Sequence, residues 1–266
     1  MGADMVYTCL GNGKYKIEAK VYRDCRGASL GSISLKAFAG NNGSNNCGTV
    51  NLGNMTVVDI RDVSTQCSTA TNPCGSPNTA RVQKGIEEHT LELIVDFNES
   101  PLSQFYQNSS CCEITFFIEQ CCRNNGITTG PSGDGFATTC MINLCNIRQC
   151  GDECNSSPIL SSTPVGFLCC NIPWYYNNGA FDTMDYDSLK YSLVPGLQNA
   201  PSTQVSYNNP FSAQMPLTPY CPGVGNSSCT PKPYNNPPEG FYFDTVTGDI
   251  IVQPVDCNEV PLIVIE

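Results

Sequence analysis

The sequence predicts an all-β chain made of two disulfide-stapled β-sandwich domains, and three observations lead there. Charged residues make up only 14% of the chain, while glycine (23) and proline (19) are plentiful. That is a composition of short strands and turns rather than of helices. Apolar and polar residues alternate with period two in several short runs that turn residues separate. Eighteen cysteines stand in 266 residues. A reducing cytosol would leave them as a row of reactive thiols, so the expectation is an oxidising, extracellular destination with at most nine bridges.

The elements follow in order. Met1-Gly2-Ala3-Asp4 runs directly into strand-like sequence with no secretory leader, so the expectation is a mature chain or a piece whose targeting segments lie elsewhere. After a Gly-Asn-Gly turn, Tyr15, Ile17, Ala19 and Val21 alternate with Lys16, Glu18 and Lys20, which predicts a half-buried strand. Ile33, Leu35 and Ala37 repeat the pattern, and Val57, Val58 and Ile60 make another short apolar run. Leu91, Leu93, Val95 and Phe97 place four apolar side chains on one strand face, with Glu92 and Asp96 opposite. Ile114, Phe116 and Ile118 do the same. Strands at this spacing, joined by turns, make a sandwich.

Cysteines punctuate the whole chain: Cys9, Cys25, Cys47, Cys67, Cys74, Cys111, Cys112, Cys121, Cys122, Cys140, Cys145, Cys150, Cys154, Cys169, Cys170, Cys221, Cys229 and Cys257. All are expected in disulfides, with a connectivity that sequence does not give. In the adjacent pairs Cys111-Cys112, Cys121-Cys122 and Cys169-Cys170 the two side chains point to opposite faces of a strand. Each pair is therefore expected to bridge in two directions, one thiol toward the core and one toward a covering loop. Each cross-link restricts the unfolded chain and adds roughly 2–4 kcal/mol. Cys140, Cys145, Cys150 and Cys154 match neither the paired couples of zinc sites nor the tighter intervals of iron–sulfur sites, and are assigned to disulfides around a domain junction.

That junction is expected near Gly151, which gives domains 1–150 and 151–266. The second opens at Asn155-Ser156-Ser157-Pro158 and runs through Trp174, Tyr175 and Tyr176. Those aromatics suit a core, with stacking on sugar rings as the alternative. An acidic loop follows, with Asp182, Asp185 and Asp187 close together, and then Leu189, Tyr191 and Leu193 alternate as one strand face. Crowded carboxylates repel unless a cation sits between them. Calcium is the expected cofactor, held by those three aspartates and a carbonyl from Asn155. A proline-rich excursion from Pro201 to Pro238 carries Cys221 and Cys229, which are expected to pin it. Phe241, Phe243 and Ile250-Ile251-Val252 flank Asp244-Thr245-Val246-Thr247-Gly248-Asp249 as a hairpin. The apolar end, Leu262 to Ile265, is an edge liability unless another strand covers it.

These blocks also carry a resemblance. The acidic cluster followed by Ser188-Leu189-Lys190-Tyr191-Ser192-Leu193 resembles the cadherin-like or immunoglobulin-like modules of large surface proteins of the Bacteroidota. That family includes gliding-associated adhesins exported by the type nine secretion route. The opening Tyr7 to Tyr15 with Val21 to Cys25, then Cys121-Cys122-Arg123-Asn124 and Asn155 to Pro158, are similar to the same proteins at comparable places. The resemblance implies cadherin-like sandwiches at the cell surface. It departs at the acidic loop, where relatives read Asp-x-Asp-Gly-Asp and this chain has Tyr186 in the glycine's place. It further implies O-glycosylation at Asp-Ser/Thr-apolar triplets, for which Thr183 and Thr245 are the best acceptors.

The formal charge of −11 and a pI near 4.4 argue against nucleic acid and against docking on anionic lipid. No apolar run is long enough for a membrane span. The lone His89 follows Glu87 and Glu88 in a chain whose cysteines are all expected to be oxidised, so it is read as structural. The functional expectation is a non-catalytic extracellular structural or adhesive module of a bacterial surface adhesin, for attachment and gliding motility. Its expected partners are other domains or copies of the same surface protein and surface polysaccharide. The alternatives are a subunit of a filament completed by strand pairing between copies and, behind it, a secreted glycan-active enzyme.

Overall fold

The computed structural model describes residues 2–40, 47–64, 71–75, 85–106, 111–123, 126–130, 133–144, 154–164, 168–182, 187–200, 202–223 and 229–266. Among them the regular structure is antiparallel β with a single helical turn, so the all-β, disulfide-rich expectation holds. The chain forms two compact units, Met1–Gln120 with Ala137–Pro158, and Cys121–Phe136 with Ile159–Glu266. The sequence-based boundary at 150/151 therefore falls short of Pro158. It also misses that Cys121–Phe136 leaves the first unit for the second.

In the first unit, β1 (Gly2–Gly11) and β2 (Lys14–Asp24) form a hairpin, with Gly11, Asn12 and Gly13 at positive φ in its turn. Glycine and asparagine tolerate that left-handed backbone. With β5 (Thr56–Asp62) and β6 (Ile86–Asp96) the hairpin makes a sheet of order β1-β2-β6-β5. A second sheet runs β8-β7-β3-β4, from β3 (Ser34–Gly40), β4 (Gly48–Asn54), β7 (Glu113–Gln120) and β8 (Phe136–Asn143). A helical turn, α1 (Ser103–Tyr106), buries Phe105.

The period-two alternation places the core. Ile17, Ala19 and Val21 of β2 have no exposed surface, and neither do Leu35, Ala37 and Ala39 around β3 or Ile114, Phe116 and Ile118 of β7. Burying an isoleucine or phenylalanine side chain contributes roughly 1.5–3 kcal/mol. Small residues sit beside large ones: Ala37 lies opposite Phe116, Ala39 opposite Ile114 and Ala19 opposite Leu91. Phe97, one residue beyond β6, meets Tyr15 edge-on at 5.5 Å and Phe116 at 6.1 Å, so aromatic edges tie the two sheets face to face.

The second unit has thinner regular structure. β10 (Trp174–Asn177), β15 (Asp249–Val252) and β14 (Tyr242–Phe243) form a three-stranded sheet. β9 (Ile159–Leu160) pairs with β11 (Ala180–Phe181), and β12 (Leu197–Asn199) with β13 (Thr203–Gln204). Leu217, Phe241, Ile250 and Val252 form its core, with Trp174, Tyr176, Leu193, Ile263 and Ile265 against it. The expected strand at Leu189–Leu193 keeps its alternating burial, but pairs as extended chain with the C-terminus. Ser192 and Glu266 exchange two backbone hydrogen bonds (2.7 and 2.9 Å), and Val194 N–H donates to Val264 O (3.1 Å). The apolar end is thus covered on one side.

Candidate functional site

Cysteine chemistry is the densest functional signal in the sequence, and the structure sorts it into three kinds. Long bridges close large loops: Cys9–Cys154, Cys25–Cys74, Cys47–Cys111 and Cys170–Cys257. The short Cys221–Cys229 bridge pins the proline-rich excursion, as expected. Cys112 is bridged too, while Cys67, Cys145 and Cys150 lie outside the described residues.

Three expectations about cysteines are corrected. Cys121 and Cys122 bond to each other rather than outward. They stand past the end of β7, where no pleat holds the two side chains on opposite faces. Cys169 is an exposed free thiol beside bridged Cys170, and Cys140 of β8 is free. Burial pushes the Cys140 thiol well above its ordinary range, which favours the protonated thiol.

The Asn155–Pro158 element does not open the second unit, as expected, but finishes the first. Ser157 Oγ accepts the Tyr7 N–H at 2.8 Å, Ser156 Oγ accepts the Cys9 N–H at 3.0 Å, and the Ser157 N–H donates to Tyr7 O at 3.0 Å. β1 is an edge strand, and these hydroxyls satisfy backbone groups that a neighbouring strand would otherwise take. The Cys9–Cys154 bridge fixes the cover in place.

The expected calcium ligands lie only in part among the described residues. Asn155 belongs to the first unit and is exposed; Asp182 and exposed Asp187 belong to the second, and Asp185 lies outside the described residues. Among the described residues no group of three or more His, Cys, Asp or Glu converges as a metal site. Thr183 also lies outside them. Thr245 sits exposed at the β14–β15 turn, where Asp244 Oδ1 accepts the N–H groups of Val246 (2.8 Å) and Thr247 (3.0 Å). Those two backbone hydrogen bonds, first among the causes, hold the Asp244 carboxyl below its ordinary range.

Trp174 and Tyr176 stack at 5.3 Å, nearly parallel, and pack on the second core, while Tyr175 points outward. Two of the three aromatics therefore pack half-buried against the core, and the third does not. His89 is buried and bonded through Nε2 to Glu87 Oε1 at 2.7 Å, and Glu87 also pairs with Arg23. Burial works against the Glu87 charge, but His89 and Arg23 outweigh it and hold the carboxyl low. His89 thus has a structural partner.

Two polar clusters escaped the sequence reading. Across the outer face of the β1-β2-β6-β5 sheet, Tyr22 O–H donates to Asp4 Oδ2 at 2.8 Å, and buried Glu88 pairs with Arg61 at 2.7 Å. Cross-strand register brings them together, since Tyr22 stands opposite Glu88 and Glu88 opposite Arg61. In the second unit, buried Arg123 donates from Nη2 to Leu197 O (2.6 Å) and from Nε to Gly135 O (3.2 Å), and lies over Phe136 at 5.9 Å. Desolvation lowers its pKa from the ordinary value. No periodicity marks an arginine with such a role.

Compared with known proteins, the chain matches no family model, no curated protein and no solved structure.

Proposed function

We propose that the chain is a non-catalytic extracellular module that serves attachment at a bacterial surface, built on cadherin-like or immunoglobulin-like sandwiches. The observation that carries the reading is the bridge pattern. Cys9–Cys154 and Cys170–Cys257 each tie chain segments far apart in sequence within one unit. Such links resist extension under load, which a hydrolytic enzyme does not require and an attachment module does. The oxidising setting that disulfides need agrees with a secreted chain, and no helix among the described residues is long and apolar enough to cross a membrane.

Surface polysaccharide is the ligand class this reading favours, with exposed Tyr175 and Tyr234 as the aromatic faces that sugars would meet. Calcium between Asp182, Asp185 and Asp187, and glycosylation of Thr183 and Thr245, are parts of the same reading. The test is adhesion of beads coated with the purified chain to a panel of immobilised polysaccharides under flow. The expected result is retention on at least one polysaccharide, lost when the bridges are reduced. Retention no better than albumin-coated beads across the panel overturns the reading.

A further inference from the structure

The two edges of the β1-β2-β6-β5 sheet are treated differently. At β1 the backbone is covered by Ser156, Ser157 and the Cys9–Cys154 bridge. At the other edge, all seven residues of β5 are exposed, among them Val57 (46%), Val58 (51%) and Ile60 (55%). β5 has no strand on its outer side among the described residues. Open edge strands are commonly blunted by lysine, proline, other charges or a bulge, because a bare edge recruits another strand. Thr56-Val57-Val58-Asp59-Ile60-Arg61-Asp62 has no lysine or proline, and its register shift between Val57 and Asp59 leaves Asp59 to Asp62 in regular pairing with β6.

We propose that β5 is the docking edge for a second copy of this chain, the two strands running antiparallel about a two-fold axis through Ile60. Three features fit that occupant. The first is backbone direction. Val63 N–H donates to Ile86 O at 2.9 Å, in the register that sets Asp62 opposite Glu87 and Ile60 opposite His89. Alternate residues, Ile60 and Asp62, therefore turn their N–H and C=O groups away from β6. About the axis, the two Ile60 backbones exchange both hydrogen bonds.

The second feature is charge. The same axis sets Asp59 opposite Arg61 of the second copy, twice. Arg61 binds Glu88 through Nε (2.9 Å) and Nη2 (2.7 Å), which leaves Nη1 for that contact. Asp59 has no hydrogen bond or ion pair among the described residues. The strand is self-complementary in charge, as a two-fold interface must be. The third feature is the apolar pair at the centre, where each Ile60 covers the other. One strand per copy is a small contact, so the dimer is weak and its role is to cross-link modules that a surface already concentrates.

The experiment is sedimentation equilibrium of the full chain from micromolar to millimolar, with two variants at the axis, Ile60→Lys and Ile60→Asp. Ile60 is more than half exposed, so both variants are expected to fold, and far-ultraviolet circular dichroism confirms it. The expected result is self-association of the wild type, weakened roughly tenfold or more in each variant alone by like charges at the axis. An equimolar mixture recovers association, since lysine then faces aspartate. A wild type that stays monomeric at millimolar concentration overturns the proposal. So do variants that associate as tightly as the wild type, or a mixture no tighter than its components. None of these outcomes bears on polysaccharide retention, so the two readings fail separately.

Discussion

Replacing Asp4 by asparagine is expected to stabilise the first unit above neutral pH and to leave it unchanged in acid. Asp4 lies on β1 with its Oδ2 accepting the Tyr22 O–H, and burial, first among the causes, raises its pKa from 3.8 to about 6. The hydrogen bond from Tyr22 and the charge of Lys20 oppose that shift, and Glu88 adds to it. Because the folded state holds this proton more tightly than the unfolded chain, the group's stabilisation is complete below pH 3.8. It is lost as pH rises through about 6. A displacement of that size corresponds to about 3 kcal/mol, and partial solvent access brings the expectation to about 1–2 kcal/mol.

The carboxamide of Asp4→Asn keeps an acceptor for Tyr22 and carries no charge. The assay is urea unfolding of both proteins at intervals from pH 4 to pH 8, taking the difference in unfolding free energy at each. Glu87, Asp62 and Asp96, whose carboxyls are held low, give both proteins the opposite slope, and the difference removes it. The variant should match the wild type near pH 4 and exceed it by about 1–2 kcal/mol above pH 7. A difference that is flat with pH, or that grows toward acid, refutes the assignment of a desolvated carboxyl at Asp4.

Replacing Arg123 by methionine should lower the second unit's stability by about 2–4 kcal/mol, read by denaturant unfolding, because it removes charge-assisted bonds to Leu197 O and Gly135 O. Lysine should restore only part, having no planar fork to reach both carbonyls. Loss of Cys170–Cys257, which closes 87 residues, should cost about 4.5 kcal/mol against about 2.5 kcal/mol for Cys221–Cys229, which closes 8, with paired alanine variants compared by melting. Brief alkylation of the native protein, read by peptide mass spectrometry, should modify Cys169 at once and Cys140 only on unfolding. Ser156→Ala and Ser157→Ala should each cost about 1 kcal/mol and speed hydrogen exchange at the Cys9 and Tyr7 amides respectively.

Much of the first unit is legible in the residues alone, because a strand's side chains alternate and a sandwich buries one face. Tyr15, Ile17, Ala19 and Val21, and likewise Ile114, Phe116 and Ile118, are buried as their alternation says. Val57, Val58 and Ile60, a short apolar run in the sequence, lie exposed on an edge strand that nothing among the described residues covers. Periodicity reports which side chains share a face, not whether a second layer reaches that face.

Sequence by itself determined the fold class, the runs that became β2, β3, β5, β6 and β7 but not β4 or β8, the hairpin at Asp244 to Asp249 and the need for an oxidising setting. Each of these depends on local chemistry: the pleat, the turn residues and the redox behaviour of thiols. Only the tertiary structure decided which sulfurs meet, that Cys121 bonds its neighbour, that Ser156 and Ser157 close the β1 edge, and that Asp4, Tyr22, Glu88 and Arg61 share one face. Those outcomes depend on register between strands distant in the chain. Register is set by the packing of whole sheets, which no short window of residues contains.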